Sequence, residues 1–145
     1  MNSRDSKSFF QFTEPILEES VLLPNNKYES KLNNDQKIKL RLVGKKGQID
    51  KDQKFNKINI AEQVTNFPIH QSEFNDNDTT PYFINVVMQS TFYWKKKINR
   101  KMMDNLIKVN SQMLLLSYIR PYVTNLTSKT KFKTQYIPFI NFENK

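Results

Sequence analysis

The chain has 145 residues, a length that favours one domain, and a formal net charge of +9. It contains no cysteine, which excludes a disulfide framework and thiolate chemistry, and two glycines, Gly44 and Gly47, too few for a phosphate-cradling loop or a dinucleotide fingerprint. The longest purely aliphatic run, Met113 to Leu116, is far short of the roughly 20 residues that span a membrane.

Residues 1–8 are polar and are expected to be frayed, with no apolar stretch long enough for a signal peptide, so a soluble cytoplasmic protein is expected. Phe10 and Phe12 alternate with polar neighbours, Pro15 interrupts, and a strand resumes from Ile16 to Leu23, closed by the turn residues Pro24, Asn25 and Asn26. Ile38, Leu40 and Leu42 alternate with Lys39 and Arg41, the cleanest half-buried strand pattern in the chain, and residues 44–52 read as a loop. Phe55, Ile58, Ile60 and Val64 mark a further strand. After a polar connection at 72–80, Tyr82 to Trp94 reads as a central strand, with Tyr82, Ile84, Val86 and Met88 on one face and Phe83, Asn85 and Val87 on the other.

A basic turn spans 95–101, and Met102, Met103, Leu106 and Ile107 suit a short helix. Asn110 and Ser111 are candidate N-caps for a second, longer helix, whose apolar stripe is Leu115, Ile119, Tyr122 or Val123, and Leu126. Pro121 inside it removes the bond to the Ser117 carbonyl and predicts a kink. The tail from Phe132 to Phe142 reads as extended. Strands first and helices afterwards predict an α+β fold, a four-stranded antiparallel sheet with helices packed on one face.

Catalytic and metal chemistry find little support. His70 is the one histidine, so neither a zinc cluster nor a well-formed triad follows. Glu14, Glu18 and Glu19 read as a solvated strand face, and Asp76 and Asp78 lack the other ligands of a calcium loop. Neither enzymatic activity nor a cofactor is expected. The positive charge attracts nucleic acid, anionic membrane or acidic protein, but it is spread along the chain and accompanies many Asn and Ile residues, as in proteins from AT-rich genomes. The densest basic cluster, Lys95, Lys96, Lys97, Arg100 and Lys101, follows Tyr93 and Trp94 and supports an alternative as a nucleic-acid-binding module. The reading preferred here is a solvated turn whose aromatics belong to the core. The surplus of aromatic and methionine side chains suits a subunit interface or a groove for other polypeptides.

Residues 112–142, QMLLLSYIRPYVTNLTSKTKFKTQYIPFINF, resemble the C-terminal half of the SecB export-chaperone family, in particular the divergent SecB-like proteins of low-GC Gram-positive bacteria. The shared positions are Leu115, Tyr118 and Arg120 of the family's helix motif, then Thr124, Ser128, Lys129, Phe132, Asn141 and Phe142, without a gap. Upstream, TPYFINVVMQSTF, closing on Phe92, is similar to the family's third long strand, and ILEESVLLPN, with Pro24 and Asn25, to its first. Ser117 and Thr130 replace a family proline and a family glycine, and Asn85 stands where the family has an acidic residue, although Glu18 is retained.

The resemblance implies an ATP-independent holdase for unfolded or nascent polypeptides, assembled as a dimer of dimers with the long helix near the subunit interface. Leu23, Leu40, Leu42, Tyr136 and Phe139 are the candidate client-binding residues, chosen for apolar character near the family's groove elements. Family members dock the export motor ATPase through carboxylates on the sheet. In this basic chain the resemblance leaves that partner, and with it a role in protein export, open. A chaperone dedicated to one antitoxin of a toxin–antitoxin pair is a further alternative, as is a structural subunit whose apolar surface is consumed in oligomerisation.

Overall fold

The computed structural model describes residues 10–25, 38–51, 55–68, 80–95, 98–132 and 134–137. His70, Asp76, Asp78, Lys96, Lys97, Phe139, Asn141 and Phe142 lie outside these residues, as do the polar N-terminus (1–8) and the connection at 72–79. Six strand segments form one antiparallel sheet: β1 (Phe10–Phe12), β2 (Ile16–Pro24), β3 (Arg41–Lys46), β4 (Asp50–Lys51), β5 (Phe55–Thr65) and β6 (Tyr82–Lys95). They occupy four rows. β1 and β2 lie end to end along one edge of β6, β5 pairs with the other edge, and β3 and β4 lie end to end beyond β5.

The break in the first row falls at Thr13 to Pro15, where proline has no N–H for the ladder. Thr13 bridges the gap. Its amide donates to the Thr91 carbonyl at 3.0 Å, its hydroxyl accepts from the Thr91 amide at 3.0 Å, and the Ser90 hydroxyl donates to its carbonyl at 2.5 Å. At the end of β2, the buried Asn25 holds the turn by donating from its side chain to the Thr80 carbonyl at 2.9 Å and from its amide to Pro81 at 2.8 Å.

The strand expected at Ile38, Leu40 and Leu42 begins three residues later, at Arg41, and runs through part of the expected loop to Lys46. Ile38 and Leu40 keep their inward direction without ladder bonds: both pack against the core, and the Ile38 amide is taken by the Gln135 side chain at 3.4 Å. Apolar alternation therefore reported burial correctly and backbone pairing incorrectly.

One helical rod follows β6: α1 (Arg100–Asn105), a π-helical turn (Leu106–Asn110) and α2 (Ser111–Ser128). Its cap is Asn99, whose Oδ1 accepts from the Met102 amide at 2.8 Å. Asn110 and Ser111 are not caps. Asn110 is helical and makes no capping bond, and the buried Ser111 donates to the Ile107 carbonyl at 2.5 Å. That back-bond satisfies a hydroxyl inside a continuous helix. Eight residues of ideal α-helix would leave Ile107 and Leu115 about 80° apart around the axis. The wider π turn takes up this difference, and both side chains join the core. The helix runs on through Pro121 to Ser128.

α2 lies over β5 and β6. Its Leu115, Leu116, Ile119 and Val123 meet Ile58, Ile60 and Val64 of β5 and Tyr82, Ile84, Val86, Met88, Phe92 and Trp94 of β6. Val123 belongs to the buried stripe, and Tyr122 is half-buried beside it. Gly44, on the helix side of β3, permits a close approach: a Cβ there would stand 2.8 Å from Gln112 Nε2 and 3.5 Å from Oε2 of the buried Glu62. The chain then turns back along α2. Thr127 Oγ1 accepts from the Gln135 amide at 3.0 Å and Arg120 Nε donates to the Ile137 carbonyl at 2.9 Å, so residues 134–137 run antiparallel to the helix.

Candidate functional site

β2 is a nine-residue edge strand without one buried side chain. Within the described residues it pairs with β6 alone, so its outer backbone edge meets no other strand. Ile16 is 59% exposed, Leu17 42%, Val21 43% and Leu23 39%. Register sorts its side chains between the two faces. Leu22 opposes Ile84 and reaches the core, whereas Val21 and Leu23 oppose Asn85 and Phe83 on the face away from the helix. Long apolar edge strands invite pairing with another chain. Such a strand supplies backbone hydrogen bonds to an extended segment and apolar pockets to alternate side chains.

The five candidate client-binding residues separate. Leu23 lies on the open face of the sheet. Leu42 opposes Val64, on the helix side, and with Leu40 is half-buried against the core. Tyr136 is 73% exposed, the largest value among the exposed apolar residues described. The Ile38–Gln135 hydrogen bond holds the segment entering β3 against the tail, so Leu40 and Tyr136 flank one seam while Leu23 lies on the opposite face of the sheet. Phe139 lies outside the described residues.

The open face of the sheet carries a polar ladder. Gln63 Nε2 donates to Asn85 Oδ1 at 2.6 Å, and Asn85 Nδ2 donates to Glu19 Oε2 at 2.7 Å. Beside this ladder is a shallow groove of about 490 Å³, lined by Val21, Val43, Phe67 and Pro68 around Gln63, Thr65, Asn85 and Arg41. Thr65 Oγ1 holds the lip of the groove, donating to the Ile84 carbonyl at 3.0 Å and accepting from the Phe67 amide at 3.1 Å. The Phe67 ring packs on Phe83 at 5.1 Å between centroids. Arg41 Nη2 donates to the Phe67 carbonyl. Sequence reading identified neither the groove nor Arg41, because the residues come from four strand rows and the lip beyond β5.

Other chemical groups are placed less suggestively. Trp94 is 1% exposed inside the core, so its ring cannot stack on a base. Glu14, Glu18 and Glu19 are solvated. No group of three metal-ligating side chains occurs among the described residues, and no described helix is long and apolar enough to cross a membrane. Tyr82 is fully buried, and burial holds its hydroxyl far above the ordinary tyrosine range despite the neighbouring Gln135 and Thr127 side chains.

No family model matches the sequence, and no curated protein matches it. Solved structures do. The chain is similar to a SecB-like chaperone of Mycobacterium tuberculosis, solved with a ChAD peptide from the HigA1 antitoxin, at a TM-score of 0.54 and 12% identity over 91% of this chain and 88% of that one. The chain has a SecB-like fold. A protein of unknown function from Streptococcus agalactiae is similar at a TM-score of 0.50 and 12% identity, covering 90% of this chain and 97% of that one. In the SecB-like fold of this chain the four-row sheet is as expected, while the helical layer is one rod where two helices were anticipated.

Proposed function

We propose that this protein is an ATP-independent chaperone that holds unfolded polypeptides on exposed apolar surface. The observation that carries this reading is β2, an unburied apolar edge strand on a SecB-like fold. Tyr136, at the seam between the tail and the entry to β3, adds a second apolar contact. Burial of client side chains would drive binding at about 25 cal/mol per Å², before ordering costs. Bond chemistry and a cofactor have no part in this mechanism. Positive charge would speed encounter with acidic clients.

The outer face of α2 supports assembly with further copies. Ser117, Tyr118, Pro121, Asn125 and Ser128 are exposed there, and the helix's one charged residue, Arg120, is turned to the tail. An uncharged helix face in so charged a chain suits packing against a second copy, in keeping with a dimer of dimers. The export motor is not assigned as a partner, because Asn85 stands on the open face at the position where the family carries an acidic residue.

Dilution of denatured test proteins without ATP, followed by light scattering, tests the reading: suppression near stoichiometric amounts supports it, and none at several-fold excess rejects it. The antitoxin peptide bound to the similar mycobacterial chaperone favours a second, narrower version, in which the client is one antitoxin. A single cognate chain bound far more tightly than general unfolded proteins would identify it.

A further inference from the structure

We infer that the groove on the open face of the sheet is a separate docking site for an extended peptide segment carrying a carboxylate, with Arg41 as its anion clamp. This site goes beyond the holdase reading: it takes Val21 and Glu19 from the open face of β2 but centres on Arg41 and Val43 of β3 and does not use Ile16, Leu17 or Tyr136.

Among the described residues, Arg41 is the one charged side chain lining the groove. Its Nη2 bond to the Phe67 carbonyl fixes the guanidinium at the lip, and no other partner engages it among the described residues. A guanidinium presents five N–H donors in a rigid fork, so a carboxylate can be taken by donors that the Phe67 carbonyl leaves free. Val21, Val43, Phe67 and Pro68 surround a floor whose amides are already committed to each other through the Gln63–Asn85–Glu19 ladder. Such walls accept an aliphatic side chain beside the carboxylate.

The charges also give the segment a direction. Arg41 lies on the β3 row and Glu19 on the β2 row, with β5 and β6 between them. Three strand spacings separate the two rows by about 14 Å, which an extended chain covers in about four residues. Glu19 uses Oε2 toward Asn85 and is exposed to solvent. The occupant that matches is therefore an extended segment with Asp or Glu over Arg41, aliphatic side chains between Val21 and Val43, and Lys or Arg about four residues along at Glu19. Glu19 repels a uniformly acidic segment, and Arg41 a uniformly basic one.

Fluorescence anisotropy with a labelled peptide Gly-Asp-Val-Ser-Val-Lys-Gly, added to the full-length protein, tests the assignment. Saturable binding is expected, weakened about tenfold by Arg41→Gln and at least threefold by Val43→Ser, and reduced by Asp→Asn in the peptide. Arg41→Lys should recover only part of the loss, because it keeps the charge and removes the fork. Thermal melts of each variant exclude unfolding as the cause. Aggregation suppression should be unchanged in Arg41→Gln, so failure of the holdase reading and failure of this site can be told apart. Absence of saturable binding would overturn the assignment, as would binding indifferent to Arg41→Gln. Sedimentation showing that Arg41→Gln dissociates an oligomer, with no peptide competition, would also overturn it, marking the groove as a subunit contact.

Discussion

The Ser20 hydroxyl on β2 and the Tyr122 hydroxyl on α2 lie 2.6 Å apart. This side-chain pair ties the edge strand to the helix, on the face where Leu22 makes the strand's contact with the core. On the opposite face Glu19 accepts from Asn85, and the rest of β2 is held by backbone pairing with β6. Tyr122→Phe should cost about 0.5 kcal/mol in denaturant unfolding, because the bond is solvent-exposed and net hydrogen-bond contributions are small. Hydrogen exchange of the β2 amides should rise more than that of β5, which would place the loss at the edge.

The buried stripe of α2 carries the stability. Ile119 is fully buried among β5 and β6 side chains, and Ile119→Ala should destabilise the fold by about 2–5 kcal/mol by leaving a cavity. Asn99→Ala should cost about 1 kcal/mol through the loss of the cap. Asn110→Ala should cost almost nothing, because Asn110 makes no capping bond. Chemical denaturation of the three variants checks this ranking, and an Asn110 effect as large as that of Asn99 would place the helix start in the wrong position.

Tyr82 makes the fold sensitive to alkali. Burial raises its hydroxyl pKa in the folded state above the unfolded value of about 10. Stability from this group is therefore complete below pH 10 and is lost as pH rises further, when the unfolded chain releases a proton that the folded chain retains. Tyr82→Phe should flatten the decline of stability between pH 9 and 11 relative to wild type. Equal slopes would rule out this linkage.

Gly44 is constrained by a neighbour across the layer. A Cβ would meet Gln112 Nε2 at 2.8 Å, so Gly44→Val should destabilise more than Gly44→Ala. The penalty should shrink in a Gln112→Ala background, and a double-mutant cycle measures the coupling. Additive effects would mean that Gln112 moves aside freely.

Much of the fold was legible because its pattern is local. Alternation from Tyr82 to Met88 separates the two faces of β6, and helical spacing gives the stripe Leu115, Ile119, Tyr122 or Val123, and Leu126, of which Leu115, Ile119 and Val123 are buried. Pro15 and the Pro24–Asn25 pair located the limits of β2. Asn110 and Ser111 misled, because the same side chains that cap a helix also bond back to its own carbonyls inside one. The strand at Ile38 misled because inward-facing residues need not belong to the ladder. The candidate site was only partly legible. Leu23 and Tyr136 are exposed, whereas Leu40 and Leu42 lean into the core, a distinction set for Leu42 by register against β5. The exposed Ile16, Leu17 and Val21 give no such signal, because β2 has one half-buried position, Leu22, and therefore no alternation to detect.

The most direct test titrates a labelled, permanently unfolded polypeptide into the protein without nucleotide and follows its anisotropy, using wild type and a variant carrying Ile16→Ser, Leu17→Ser and Tyr136→Ser, which leaves the groove residues intact. Saturable binding by wild type, weakened at least tenfold in a variant that still folds, is the predicted result. No binding by wild type, or equal binding by both proteins, would contradict the claim that exposed apolar surface at β2 and Tyr136 holds unfolded chains.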